Sequence, residues 1–313
     1  MPSISIVIPA YNAGKFLAET LDSVIAQTTT DWELIVVDDG STDDTANIAA
    51  RYAEGDNRIR VITQLNGGVA TARNTALKAT GGEFVMLLDH DDMLRPYALN
   101  SLLTLLKYNH QAVGAHGLAQ KLGPHGPIHG VEGIQNFERR KLVNGKVVNA
   151  DRKEPTTAAM VVFDNLIPTP GVALLRRSTI EALSNNGNVF DQSAAPLDDW
   201  DFWLRATQLG DLIFFDETVL RWRRHEAAGS TNIAAMSAAE MRIRQRLIAQ
   251  DLPAEIAGVA HYRYRKLLVT TKRRAARDHW KLAQSRFKDG KVGEGLSAWS
   301  KGVSEYVGYL STR

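Results

Sequence analysis

The sequence predicts an α/β fold: a mostly parallel mixed sheet flanked by helices, followed by a helical appendage. Three observations carry that expectation. Apolar runs without polar alternation, the pattern of strands buried on both faces, alternate with stretches of helical periodicity through the first third of the chain. Clusters of Asp, Gly and Ser follow several of these strands directly, at the carboxyl rim where open α/β sheets bind ligands. Charge is also segregated: residues 233–313 hold 16 Lys+Arg against seven Asp+Glu, a net of +9, while the residues before them carry −7.

Taken in order, Ile4-Ser5-Ile6-Val7-Ile8-Pro9 reads as the first strand, closed by Pro9, which cannot donate to a central ladder. Beyond the turn Ala10 to Gly14, residues Phe16, Leu17, Leu21, Val24 and Ile25 recur at helical spacing. Trp32 to Val37 is a second strand, ending in Asp38-Asp39-Gly40-Ser41-Thr42-Asp43-Asp44; Ser41 or Thr42 is the expected cap of the helix through Ile48 and Tyr52. Arg60 to Thr63 is a short third strand. Gly67-Gly68 opens a helix carrying Val69, Arg73, Asn74 and Leu77, and Gly81-Gly82 ends it before the strand Phe84 to Leu88. Right-handed crossovers place all these strand ends on one rim, so Tyr11, Asp38-Asp39 and Asp89 to Asp92 should converge on one cleft.

The pattern weakens between His110 and Gln192, where Gly123-Pro124-His125-Gly126-Pro127 and Gly145 to Asn149 suggest loops or a small hairpin, and Val172 to Leu175 another strand. It returns at Leu197 to Arg205, a helix with Asp198 and Asp199 at its amino end, followed by the strands Leu212 to Phe215 and Val219 to His225. From Ile233 the chain reads as helices broken by Pro253 and Gly290, the last two forming an antiparallel hairpin. Residues 1–232 are expected to form the catalytic domain and 233–313 a basic α-helical region.

Composition narrows the function. Cysteine is absent, which excludes a disulfide framework and a thiolate metal site. Met1-Pro2-Ser3 leads straight into a strand without the segments of a secretory signal, and no stretch approaches the roughly 20 apolar residues of a bilayer span. A soluble cytoplasmic protein is expected. The tail, with Arg263, Arg265, Lys266, Lys272, Arg273, Arg274, Arg277 and Lys281 among Tyr262, Tyr264 and Trp280, could rest on the inner face of a membrane or make an oligomer contact. No nucleic-acid motif accompanies its charge.

The residues richest in chemistry are Asp89-His90-Asp91-Asp92. Carboxylates this close repel one another as anions and are tolerated when a hard divalent cation or strong donors neutralise them, and Mg²⁺ and Mn²⁺ prefer such oxygen ligands. The residues alone read equally as a metal site for a phosphate-bearing substrate or as a polar loop capping the helix near Leu94 or Pro96.

A set of six motifs in order resolves that choice. Ile6-Val7-Ile8-Pro9-Ala10-Tyr11-Asn12, Val37-Asp38-Asp39-Gly40-Ser41-Thr42-Asp43, Ala72-Arg73-Asn74, Leu88-Asp89-His90-Asp91-Asp92, Asp198-Asp199-Trp200-Asp201 and Arg221-Trp222-Arg223-Arg224-His225 together resemble the family 2 glycosyltransferases of the GT-A fold. The resemblance runs from Pro2 to Asn232. It implies a metal-dependent inverting transferase that moves a sugar from a nucleotide-diphosphate sugar to a hydroxyl of a saccharide or lipid-linked saccharide, in polysaccharide, glycolipid or cell-surface glycan synthesis.

Residue by residue, Asp89-His90-Asp91 matches the D-x-D signature. Asp91 is the first metal ligand implied and Asp92 the second, for Mn²⁺ or Mg²⁺, with Asp89 facing the ribose or donor sugar and His90 in the same nucleotide loop. Pro9 and Tyr11 match the segment that packs on the base, and Asp39, or Asp38 beside it, the acceptor of a base N–H. A carboxylate there suits uracil N3–H, so UDP is the expected nucleotide. Arg73 matches a cation that approaches the donor phosphates. Asp199, with Asp198 as the alternative, occupies the place of the catalytic base; Asp stands here where Glu is commoner. Arg224 and His225 belong to the late basic segment that meets the diphosphate, His225 also as a possible third metal ligand. Two other functions stay in view: a sugar nucleotidyltransferase, for which Ala10 to Lys15 is a poor triphosphate loop, and a nucleotide-sugar-binding module without turnover.

Overall fold

The computed structural model describes residues 2–123, 126–129, 133–135, 139–225 and 232–310. Pro124 and His125 of the Gly/Pro stretch and the side chain of Arg274 lie outside the described residues. The chain forms two units, Met1–Ala239 and Glu240–Arg313, divided a little beyond residue 232 and within a helix.

The first unit contains β1 (Ile4–Ala10), α1 (Leu17–Ile25), β2 (Trp32–Asp38), α2 (Thr45–Gly55), β3 (Ile59–Thr63), α3 (Val69–Lys78), β4 (Phe84–Leu87), β5 (Met93–Leu94), α4 (Ala98–Tyr108) and β6 (Gly114–Gly123). It continues with β7 (Gly126–Pro127), β8 (Ile134–Gln135), β9 (Arg140–Val143), β10 (Lys146–Asn149), α5 (Ala158–Phe163), β11 (Ala173–Arg176), α6 (Arg177–Leu183), α7 (Asp198–Leu209) and β12 (Leu212–Arg223). Helix α8 (Ile233–Ile248) spans the division, and α9 (Ala254–Lys288) and α10 (Val292–Leu310) complete the second unit.

The main sheet has the order β3-β2-β1-β4-β11-β6-β12-β5, with β7 and β8 also paired to β6. Pairs among β3, β2, β1 and β4 are parallel, as is β6 with β12, while β11 runs antiparallel to both neighbours. This is the α/β fold that the alternating pattern predicts. Every residue of β1 is buried, and each fully buried Ile or Val there contributes roughly 1.5–3 kcal/mol relative to exposure.

Several local expectations change. Strand β1 runs through Pro9 to Ala10, because β4 has stopped pairing at Val7 and no ladder partner on that side needs a Pro9 N–H. Helix α2 begins at Thr45, and Asp44 at its N-cap makes no side-chain cap; Ser41 and Thr42 serve the neighbouring loop instead. Met93–Leu94 is a strand paired to β12, and the following helix starts at Ala98. Leu212 to Arg223 is one long strand whose register shifts near Thr218, where two shorter strands are expected. Strand β6 escapes detection because Gly114 and Gly117 break its apolar pattern. Both are required by close packing: a Cβ on Gly114 would lie 2.9 Å from the Leu174 carbonyl, and one on Gly117 2.8 Å from Val219.

Candidate active site

Strand order reverses at β1, whose neighbours β2 and β4 are reached by crossovers on opposite sides, and a crevice opens beyond the carboxyl ends of these strands. The groove there has a volume of about 1180 Å³. Of the residues singled out from the sequence, Pro9, Tyr11, Asp39, His90, Arg224 and His225 line it, together with Asn12, Lys15, Phe16, Asn66, Gly68 and Val69.

Its first wall is a pair of cross-linked loops. Asn12, at φ 48°, accepts from the Thr42 N–H at 2.9 Å, while its own N–H donates to Ser41 Oγ at 3.0 Å. The next two N–H groups, of Ala13 and Gly14, donate to Thr45 Oγ1 and Asp43 Oδ2 at 2.7 and 2.9 Å. Against the opposing effect of burial, the Thr45 hydroxyl and the N–H groups of Gly14 and Thr45 hold the Asp43 carboxyl below its usual range. Tyr11 projects from this braced turn and remains 47% exposed, an open aromatic face at the groove lip.

Asp39 lies deeper, 3% exposed, and accepts from Gln64 Nε2 at 2.7 Å, Gly67 N at 2.9 Å and Gly68 N at 2.8 Å. It thereby ties β2 to the amino end of α3. Gly40 is needed beside it: φ is +75°, and a Cβ would come within 2.9 Å of the Asn66 nitrogen. Asp38 points elsewhere, with Oδ1 accepting from Ser41 N at 3.1 Å, and is not part of the groove lining.

The acidic loop after β4 divides its carboxylates among different partners. Asp89 receives Arg73 at 2.7 Å. His90 Nδ1 lies 3.2 Å from the Pro9 carbonyl. Asp91 Oδ2 meets His225 Nε2 at 2.8 Å. Asp92, expected as a second metal ligand, is only 1% exposed, with Oδ1 taking the Arg223 N–H at 3.0 Å and Oδ2 facing the Thr169 hydroxyl at 2.8 Å. Burial, then Asp91 and Asp89, hold the Asp92 carboxyl well above the usual range.

His225 reaches Asp91 because β12 delivers it: Leu220 and Arg221 pair with Leu94 and Met93, just after the acidic loop. Arg223 braces the junction, its Nε donating to the Asp91 carbonyl at 3.1 Å and its guanidinium lying over Phe16. Asp91 and His225 supply an oxygen and an imidazole donor. Among the described residues no group of three or more His, Asp, Glu or Cys forms a closed metal cage. The Asp91 carboxylate is an oxygen ligand of the kind Mg²⁺ and Mn²⁺ prefer, and the imidazole is the softer donor of the pair.

Arg73, expected near the donor phosphates, is 4% exposed and outside the groove lining. Its guanidinium bridges Asp89 at 2.7 Å and Asp198 at 2.6 Å, and these carboxylates, opposing the cost of burial, raise its pKa. Asp198 is therefore ion-paired in the interior. Asp199, next to it at the start of α7, accepts only the adjacent Trp200 N–H at 2.7 Å among the hydrogen bonds described. It keeps intermediate exposure, yet burial and the Asp198 charge push its carboxyl up to about 7 despite Arg73 nearby.

Sequence reasoning missed Thr169, whose hydroxyl stands between Asp92 and Asp89, because an isolated Thr carries no pattern. It also missed Asn12 as a clamp and Lys15 and Asn66 as lining residues. The Asn66-Gly67-Gly68 turn was the one available signal, since three small or polar residues before a helix leave backbone N–H groups open.

Comparison with known proteins fits this geometry. Residues 5–184 match the family model described as glycosyl transferase family 2. The chain is 47% identical over 92 residues to the uncharacterized glycosyltransferase EpsJ of Bacillus subtilis (strain 168), spanning 29% of this chain and 27% of that protein. It is 31% identical over 238 residues to the uncharacterized glycosyltransferase RP339 of Rickettsia prowazekii (strain Madrid E), 74% of this chain and 67% of that one. Matches to several curated relatives thus cover a third or less of those proteins' length. Among solved structures, S. aureus TarS 1–349 in complex with UDP-GlcNAc aligns with TM-score 0.59 at 17% identity, over 95% of this chain and 90% of that one. The mannosyltransferase PcManGT of Pyrobaculum calidifontis, in complex with GDP-Man and Mn2+, aligns with TM-score 0.62 at 17% identity, over 97% and 75%. An α/β sheet whose carboxyl rim carries this groove, a family model matching more than half of the chain and a relative 31% identical over 74% of it lead to one conclusion: the chain belongs to glycosyl transferase family 2, with a GT-A-type fold.

Proposed function

We propose that the protein is a metal-dependent inverting glycosyltransferase that moves a sugar from a UDP-sugar to a hydroxyl of a saccharide or lipid-linked saccharide in glycan synthesis. Residues 1–232 would be its catalytic domain and 233–313 a basic helical region. The observation that carries the reading is a groove lined by Tyr11, Asp39 and His225, with Asp91, itself outside the lining, bonded to His225, and a raised carboxyl at Asp199, also outside the lining, joined to the acidic loop through Asp198, Arg73 and Asp89.

Tyr11 packs on the base. Asp39 uses three of about four lone-pair sites on protein donors, which leaves one for uracil N3–H. Pro9 and His90 shape the floor beneath the nucleoside, and Asp89 faces the sugar region with its other oxygen on Arg73. Lys15 and Arg224 stand over the position of the diphosphate and meet its charge. Asp91 and His225 would hold the metal, which when bound supplies Lewis-acid stabilisation of the departing diphosphate. Two solved structures of the same fold are complexes with such nucleotides, UDP-GlcNAc in one and GDP-Man with Mn2+ in the other.

Asp199 is the base, and Asp198, fixed by Arg73, positions it. The acceptor oxygen attacks C1 from the face opposite the diphosphate, the C1–O bond to phosphate breaks, the hydroxyl proton passes to Asp199, and UDP leaves. A carboxyl raised to about 7 takes that proton more readily than an ordinary carboxylate.

The test is release of nucleoside diphosphate from a panel of nucleotide sugars with Mn²⁺ or Mg²⁺. Wild type should release UDP only when metal is present, and Asp91→Ala should lower the rate by about 10²–10³-fold, the scale of a lost electrostatic stabiliser. UDP binding with no turnover for any acceptor would leave a binding module; diphosphate release from a nucleoside triphosphate and a sugar phosphate would make it a nucleotidyltransferase.

A further inference from the structure

The second unit carries a surface that glycosyl transfer does not use. Helices α9 and α10 form an antiparallel hairpin around Gly290, at φ +73°. Its seam is small and closely fitted. Ala276 and Ala283 face Ala298 and Gly302, all buried, and the Trp280 ring rests on Gly302. Trp280 and Tyr306 rings lie 5.3 Å apart, and Arg286 pairs with Glu294 at 3.2 Å.

Outside that seam α10 keeps an apolar stripe in solvent. Val292, Leu296, Trp299 and Val307 are 57%, 56%, 53% and 59% exposed, with Val303 between them. Steps of three and four residues align them along one side, and at 100° per residue the stripe is centred roughly 120° around the helix from Ala298 and Gly302. On α9, Lys266, Arg273, Arg277, Lys281 and Lys288 form a row centred roughly 120° from Ala276 and Ala283 by the same count, in the same rotational sense. Helices that run in opposite directions turn these equal rotations toward the same side. The basic row and the apolar stripe therefore share one broad face, while Asp278 and Leu282 fall on the other.

We propose that this face of the α9–α10 hairpin docks on the surface of an anionic lipid bilayer. Charge complementarity selects that occupant. A second copy of the chain would bring the same basic row, from a unit with 16 Lys+Arg and seven Asp+Glu, against its own kind. An anionic bilayer answers both halves: Val292, Leu296 and Trp299 enter the boundary of headgroups and acyl chains, and the lysines and arginines extend to the phosphates. No helix among the described residues is long and apolar enough to cross a membrane, so this contact lies on the surface. It does not rest on the sugar-transfer reading, and its failure would leave that reading intact.

The experiment is co-sedimentation of the full chain with vesicles of phosphatidylcholine alone or mixed with phosphatidylglycerol, at low and high salt. The wild type should pellet with the mixed vesicles at low salt, stay in solution with neutral ones, and be released by salt. The pair Leu296→Glu and Trp299→Glu, and separately the pair Arg273→Glu and Arg277→Glu, should each cut partitioning by about tenfold or more, while Leu282→Glu on the opposite face leaves it unchanged. Thermal melting checks that each variant is folded, and Leu296→Ser with Trp299→Ser replaces the first pair if it melts early. Absence of binding to anionic vesicles overturns the proposal, as does equal loss with Leu282→Glu. So does a wild-type dimer in sedimentation velocity that the stripe variants dissociate while vesicles go unbound.

Discussion

Asp39, the proposed contact to the base, and Asp199, the proposed general base, live in opposite surroundings. Asp39 gathers three hydrogen bonds and serves as a joint between β2 and α3. Asp199 has one N–H from its own neighbour among the hydrogen bonds described and a carboxylate beside it, and its carboxyl is pushed up to about 7. The difference teaches how one residue type could supply the two roles proposed for it. Donors make a carboxylate a fixed anionic acceptor, and their scarcity makes it a proton carrier.

The largest effect should come from Asp199. Asp199→Asn should lower turnover by about 10²–10⁴-fold with UDP affinity nearly unchanged, read from diphosphate release and titration with UDP. In the wild type, kcat/KM should rise with pH toward about 7 and then level, since the base acts when deprotonated. Stability should move the other way. A carboxyl with a folded-state pKa above its unfolded value binds more protons when folded, so Asp199 favours the fold at low pH and that contribution is lost as pH rises from about 4 to about 7. The Asn variant should flatten that slope in urea melts.

A second substitution attacks the ion pairs next to Asp199. Arg73→Met strands Asp198 as a buried carboxylate, and takes the partner from the half-exposed Asp89, and should destabilise the protein by about 3–5 kcal/mol in denaturant unfolding. Asp198→Asn in the Arg73→Met background should restore part of it, because one uncompensated charge is gone. The smallest effect belongs to the donor-rich carboxylate. Asp39→Ala leaves the N–H groups of Gly67 and Gly68 without their acceptor and should cost about 1–3 kcal/mol by thermal or chemical melting, with weaker UDP binding. If Asp39→Ala melts normally while Asp199→Asn loses UDP affinity, the contrast between joint and proton carrier is reversed.

How much of this was legible beforehand follows from where the physics is local. Uniform apolar runs and helical spacing mark β1, β2, β4 and their helices, because burial on both faces leaves a continuous signature in sequence. The same logic placed Tyr11, Asp39 and the acidic loop on one rim. It did not reach β6, whose glycines hide a strand behind close packing against Leu174 and Val219. Nor did it separate Asp91 from Asp92. The difference between a carboxylate facing His225 and one enclosed by Thr169 and the Arg223 backbone depends on partners some 80 and 130 residues away, beyond any local spacing rule. Arg73 likewise reads as a cation approaching the donor phosphates until the fold brings Asp198 beside it, 125 residues away in sequence.

The short ladder between β5 and β12 has a consequence for how this site can change. Asp91 lies just before one of its strands and His225 just after the other, so their separation is governed by backbone pairing rather than by side-chain reach. Strands shift only in whole steps of about 3.3 Å, and each single step turns the side chains over. An insertion or deletion between Leu220 and His225 that slips this register would therefore not retune the pair gradually; it would dismantle it.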